Sequence, residues 1–142
     1  MKTHKDLNVW KESISLVTFI YEKTKLFPKD ELYALTSQIR RSAISIPSNI
    51  SEGAARESNK EFLRFLFIAQ GSISELDTQL IIANNLNFLS KEDYLQISEK
   101  LTAVRKMLAG LIKFRKTKSV GDQGSEIRDQ GTGNIKTGIR EK

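Results

Sequence analysis

Cysteine is absent from the 142-residue sequence, histidine occurs once and proline twice. Without cysteine there is neither a disulfide framework nor a thiolate metal site. A lone His4 in a polar stretch supplies no zinc ligand set. No run approaches the roughly 18 apolar residues of a membrane span, so no membrane partner is expected. The N-terminal MKTHKDLNVW lacks the apolar core of a secretory leader. The expected compartment is therefore the cytoplasm, and the sequon Asn49-Ile50-Ser51 is read as coincidence.

Catalytic signatures are missing as well. The carboxylates Glu31, Glu52, Glu57, Glu61, Glu75 and Asp77 are scattered, and no Glu-x-x-His pair exists for a di-iron bundle. The glycines form no phosphate loop or dinucleotide fingerprint, and no serine has a motif-supplied base. The expectation is a non-enzymatic protein without cofactor or metal.

What the sequence has is helical period and positive charge. Lys and Arg number 23 against 17 Asp and Glu, a formal net charge of +6 that suits a polyanionic partner such as RNA, DNA or an acidic protein. Four apolar series advance in steps of three and four, the period of a helix stripe. They are Leu7, Trp10, Ile14, Val17, Tyr21; then Leu32, Leu35, Ile39, Ala43, Ile46, Ile50. Phe62, Leu66, Ala69, Ile73, Leu76, Leu80 and Ala83 follow, and Tyr94, Ile97, Leu101, Val104, Leu108 and Leu111 complete the set.

The breaks between series carry punctuation. Phe27-Pro28 ends the first helix, and Asp30 is the expected cap of the second. Gly53 is expected to close the second in a left-handed conformation. Ser58 with Glu61 reads as a capping box for the third, and Ser90 with Asp93 repeats it for the fourth. Short connections between such helices predict an all-α, antiparallel, up-down-up-down four-helix bundle over residues 1–116. From Thr117 the composition changes: five of the eight glycines fall there and no aromatic does, which predicts a disordered, flexible polar tail over 117–142. That tail carries five basic and four acidic residues, so +5 of the net charge belongs to the bundle.

Two features complicate the plain bundle. Pro47 lies inside the second series, where its missing amide and its ring predict a kink, and Ser42, Ser45, Ser48 and Ser51 are spaced to bond freed carbonyls or admit a close neighbour. Seven of the eight residues from Phe62 to Ala69 are apolar. A helix apolar most of the way round is buried most of the way round, which predicts self-association. The candidate interface residues are Leu63, Phe65 and Phe67, with Leu16 and Phe19 widening the stripe of the first helix. Gln38, Asn49, Glu52 and Gln79 lie near the core stripes, where hydrogen bonds between helices would fix register.

The order Leu7-x-Val9-Trp10, Phe27-Pro28, Glu31-x-Tyr33-x-Leu35 and Gln38-Ile39-Arg40-Arg41-Ser42-Ala43, followed by Ile46-Pro47-Ser48-Asn49-Ile50-Ser51-Glu52-Gly53, carries a family resemblance. Glu61-Phe62, Ala69-x-Gly71-Ser72 and Glu75-Leu76-x-Thr78-Gln79-Leu80 continue it. Over roughly residues 5 to 115 the chain resembles four-helix-bundle proteins related to those encoded in intervening sequences of bacterial 23S rRNA genes. The resemblance implies a homopentameric ring and suggests nucleic-acid binding.

For phosphate contacts the candidates are Arg40 and Arg41 before the proline, Arg56, Lys60 and Arg64 around the next turn, and Arg115 and Lys116 before the tail. Two readings stay open. One is an oligomeric bundle that binds structured RNA or DNA through phosphates. The other is a scaffold, or a protein-interaction module using its tail, that binds no nucleic acid.

Overall fold

The structure, a computed structural model, describes residues 3–123. Among them the chain forms four α-helices and no strand: α1 Asn8–Thr24, α2 Leu35–Ala54, α3 Asn59–Asn85 and α4 Lys91–Gln123. Short 3-10 turns at His4–Asp6 and Lys29–Glu31 precede α1 and α2. All four helices contribute to one apolar core.

Helix α3 follows its sequence stripe: Phe62, Leu66, Ala69, Ile73, Leu76, Leu80 and Ala83 are all buried. In α4 the buried series is Ile97, Leu101, Val104, Leu108 and Ile112, with Tyr94 and Leu111 packed at its edge. Helix α1 departs from expectation. Its buried face is Val9, Ser13, Leu16, Ile20 and Thr24, while Ile14 is 40% exposed. Two hydroxyls explain the rotation. Ser13 Oγ donates to the Trp10 carbonyl at 2.8 Å, and Thr24 Oγ1 donates to that of Ile20 at 2.8 Å. With its hydroxyl satisfied inside its own helix, a small polar residue can be buried. An apolar count passes over it.

Contacts between helices run in opposite chain order. Asn59, at the start of α3, bonds Arg115 late in α4, whereas Asp77 further along α3 pairs with Arg105 at 3.8 Å. Lys23, late in α1, pairs with Asp93 at the start of α4 at 3.2 Å, and Phe19 lies beside Lys100. Gly53 abuts Phe62 and Phe65, and Ser45 Oγ meets Ser72 Oγ at 2.7 Å. This is the pairing order of antiparallel neighbours in a bundle.

Helix α2 passes through Pro47 without a break in its helical assignment. Near it, Asn49 Nδ2 donates to the Ser45 carbonyl and hydroxyl, and Ser45 bonds across to Ser72. Asn49 therefore bonds only within α2, and the link to α3 expected of it is made by Ser45. Gln38 and Glu52 are exposed and make no link between helices; Gln79 is buried, and its Oε1 has no partner among the described residues.

The caps differ in informative ways. Asp30 does not cap α2: it sits in the 3-10 turn, and Glu31 Oε1 accepts from Leu35 N instead at 3.3 Å. Ser58 Oγ accepts from Glu61 N at 3.1 Å and Ser90 Oγ from Asp93 N at 3.0 Å, the serine half of each expected capping box. The carboxylate halves go to cations, Glu61 to Arg64 and Asp93 to Lys23. A charged partner offers each carboxylate a stronger bond than a neutral amide does.

Gly53 is not a left-handed terminus. It lies inside α2, buried, and a Cβ there would sit 2.8 Å from Phe65 Cβ and 3.1 Å from the Phe62 carbonyl oxygen. Close approach of α2 and α3 requires glycine, not backbone freedom. The left-handed residue is Asn87, φ 64°, after α3. There Phe88 N bonds the Ala83 carbonyl and Asn87 N that of Asn84, the paired bonds of a Schellman ending.

Helix α4 continues to Gln123, past the boundary expected at Lys116. Extending an existing helix adds a hydrogen bond for each residue fixed, so a helix can outrun its packed face. The remainder of the expected tail, residues 124–142, lies outside the described residues.

Candidate nucleic-acid interface

One end of the bundle gathers the α2–α3 connection, the start of α3 and the last packed turns of α4. Asn59 ties them together. Its Nδ2 donates to the Arg115 carbonyl at 2.9 Å, and its Oδ1 accepts from Arg115 Nη1 at 3.3 Å. The Arg115 guanidinium lies 4.6 Å from the centre of the buried Phe62 ring. Arg115 is therefore held by stacking and by hydrogen bonds, with little rotamer freedom left to lose on binding.

Around this anchor stand the other cations. Arg56 bonds Glu52 at 2.7 Å and Arg64 bonds Glu61 at 3.2 Å; the two guanidiniums flank the Phe65 ring at 4.9 and 4.5 Å. Lys116 lies 5.2 Å from the Phe67 ring. Lys60, Lys113 and Lys118 are exposed and have no carboxylate partner among the described residues. Both carboxylate pairs are exposed and local to one helix or its edge, a type of pair worth little and easily exchanged for a phosphate. The hydrogen bond from Arg64 holds the Glu61 carboxyl below its ordinary value. Desolvation opposes this, and the charges of Arg64, Arg56 and Lys60 reinforce it.

Five of the seven sequence candidates thus meet at this end: Arg56, Lys60, Arg64, Arg115 and Lys116. The other two lie apart. Arg40 reaches back to α1, donating from Nε to Thr24 Oγ1 at 2.9 Å and stacking 4.6 Å from the Tyr21 ring centre, so it braces two helices. Arg41 is exposed and has no partner among the described residues, but it stands fifteen residues before Arg56, roughly 20 Å away along the helix axis. Arginine adjacency in the sequence did not make one patch.

Sequence reasoning missed Asn59 and gave Lys118 too little weight. A signal for the latter existed. From Lys100 to Gly121 there are seven Lys or Arg and no Asp or Glu, so α4 is basic without relief over those roughly six turns. Nothing in the sequence marked Asn59, whose partner is 56 residues away.

The apolar candidates also sort by burial. Leu16, 0% exposed, belongs to this chain's own core and offers nothing to a second copy, which corrects that expectation. Phe65 is 9% exposed beneath its two arginines, and is corrected likewise. Phe19 and Leu63 are half-buried against the core. Phe67 is 44% exposed, and Ile68, Ile81 and Ile82 are exposed on the same helix. Fourteen residues are about four helical turns, so Phe67 with Ile81 and Ile68 with Ile82 share the outer face of α3.

Among the described residues no group of His, Asp or Glu is placed to hold a metal ion. No helix there is long and apolar enough to cross a membrane.

These features define a class: an all-α four-helix bundle with a basic end and two exposed apolar pairs on the outer face of one helix. The family described as 23S rRNA-intervening sequence protein matches residues 5–110, and the chain belongs to that family. Among solved structures it is similar to a protein of unknown function from the S23 ribosomal protein family of Bacteroides thetaiotaomicron, with 26% identity and a TM-score of 0.69. That likeness covers 74% of this chain and 95% of the other. Comparison with curated proteins gave no match.

Proposed function

We propose that the chain is a non-enzymatic cytoplasmic bundle that self-associates and binds structured RNA or DNA through phosphate contacts at its basic end. The observation that carries this reading is convergence. Cations from the α2–α3 connection, the first turns of α3 and the carboxylate-free stretch of α4 from Lys100 to Gly121 meet around Asn59, Phe62 and Phe65. Phosphates are recognised by arginines held in fixed orientation, with lysines adding unpaired charge. Phe62 and Phe65 lie under guanidiniums there, while Phe114, beside Arg115, is 59% exposed and free to stack on an unpaired base next to the phosphate contacts. The family's link to rRNA intervening sequences supports the same partner class.

Self-association is supported by two exposed apolar pairs on the outer face of α3, Phe67 with Ile68 and Ile81 with Ile82, roughly 20 Å apart along the helix. A pentamer is what the family resemblance implies. In such a ring a modest phosphate site is repeated, and weak contacts gain from effective concentration. Titration of a folded RNA with the full chain at two salt concentrations tests the reading.

A second reading, an interaction module that binds no nucleic acid, is favoured by the α1–α2 corner. There Leu26 is 80% and Tyr33 93% exposed, the most protruding large apolar side chains described. Recruitment through the tail belongs to this reading too, on residues beyond 123. Binding that ignores salt and fails with Tyr33→Ala supports it over the first.

A further inference from the structure

A hollow of about 250 Å³ opens at the basic end, lined among others by Arg56, Glu57, Asn59, Phe62, Arg115 and Lys118. We infer that it seats a terminal phosphomonoester: the 5′-phosphate of a nucleic-acid strand or of a free nucleotide. The inference rests on the phosphate reading of this end and specifies where, and what kind of phosphate, it binds.

Charge is the first argument. Three cations in the lining face one carboxylate, Glu57, an excess of two positive charges; Glu52 engages Arg56 from outside. A phosphomonoester carries between about −1.5 and −2 at neutral pH, whereas an internal phosphodiester carries one charge. Shape is the second. An internal phosphate stands on a convex ridge between two sugars and meets a concave site poorly. A terminal phosphate projects and can enter.

The third argument is the state of Arg115. Asn59 and the Phe62 ring fix its guanidinium, yet its Nε is covered and has no hydrogen-bond partner among the described residues. A covered, unpartnered donor is a standing cost. A small shift of Arg115 toward an anion in the hollow removes it, and the Nε and Nη2 hydrogens are then the pair that grips two phosphate oxygens together. Ser58 already accepts from the Glu61 amide, so the site depends on side chains and not on the free amides of α3.

Calorimetric titration of the full chain at about 50 mM salt tests this, using inorganic phosphate, a nucleoside 5′-monophosphate, and one short oligonucleotide with either a 5′-phosphate or a 5′-hydroxyl. The phosphorylated strand is expected to bind at least about tenfold tighter, the scale of one charge-assisted hydrogen bond. Arg115→Gln and Lys118→Gln are both expected to abolish that preference. Lys118 is exposed on α4, so its replacement leaves the fold intact even if the Arg115 variant is destabilised. Equal affinity for the two strands, or a preference that survives Lys118→Gln, overturns the site. Salt-sensitive binding of both strands without preference overturns the hollow alone and leaves the backbone reading standing. Binding of free phosphate or nucleotide that Lys118→Gln removes, with no strand binding, upholds the hollow and overturns the nucleic-acid reading.

Discussion

Asn59 and Arg115 hold each other reciprocally across 56 residues, amide to carbonyl at 2.9 Å and guanidinium to amide oxygen at 3.3 Å. This clasp joins the first turn of α3 to the basic stretch of α4, and the candidate interface is assembled on it. Asn59→Ala removes both bonds and leaves the half-buried Arg115 without a side-chain acceptor. The expected cost is about 1–3 kcal/mol by urea denaturation, from the lost hydrogen bonds and the uncompensated donor. Lys60→Ala, one residue on but exposed and unpaired, is expected to stay within about 0.5 kcal/mol.

Gly53, Gly71 and Gly110 separate packing from propensity. At Gly53 a methyl group meets Phe65 and Phe62, so Gly53→Ala exchanges a propensity gain of about 1 kcal/mol for overpacking of about 1–3 kcal/mol. Net destabilisation is expected. At Gly71 and Gly110 an added Cβ meets nothing within 4 Å among the described residues, so alanine is expected to stabilise the isolated bundle by about 0.5–1 kcal/mol. Thermal unfolding of the three variants checks the order. Loss of stability in Gly71→Ala places another copy against that point of α3.

Glu61 gives a pH prediction. Its folded pKa lies below its ordinary value of 4.5, chiefly through the Arg64 hydrogen bond. A depressed carboxyl contributes stability that is fully present above the unfolded pKa and is lost as pH falls through the folded one. The contribution is therefore intact at neutral pH and disappears below about pH 4.5. Arg64→Gln should move the Glu61 titration up toward 4.5, read from its side-chain carboxyl carbon by NMR. A titration unmoved by that change contradicts the assigned cause.

Self-association is tested on the outer face of α3. Replacing Ile68 and Ile82 together by glutamate is expected to lower the mass measured by light scattering while helicity is retained, since both are exposed within one chain. Leu16→Ala is expected instead to cost about 2–5 kcal/mol of fold stability, because Leu16 is core.

Much of this architecture was legible because apolar period and helix punctuation act locally. The α3 stripe from Phe62 to Ala83 and the serine caps Ser58 and Ser90 needed only neighbouring residues to be read. Where the reading failed, the cause was a contact made at a distance or a polar group satisfied in place. Ser13 and Thr24 turned the core face of α1 because their hydroxyls bond their own helix, which drew Leu16 inward. Gly53 resembled a helix ending but answers to Phe62 and Phe65. Arg40 and Arg41 looked like half of a basic patch, whereas Arg40 is committed to Thr24 and Tyr21. The site itself was half visible: charge density marked α4, but only folding brings Asn59 to Arg115.

The most direct measurement is the salt dependence of binding of the full chain to a folded RNA between about 50 and 200 mM salt, by fluorescence anisotropy. The account predicts a linear fall of log affinity with log salt, and a slope that shrinks by about 0.7–0.9 for each phosphate contact removed. Lys60→Ala/Lys113→Ala/Lys116→Ala should therefore flatten the slope, and Arg41→Ala, roughly 20 Å along α2 from the basic end, should leave it unchanged. Absence of binding at 50 mM salt, or a slope untouched by the triple substitution, contradicts the phosphate-binding end.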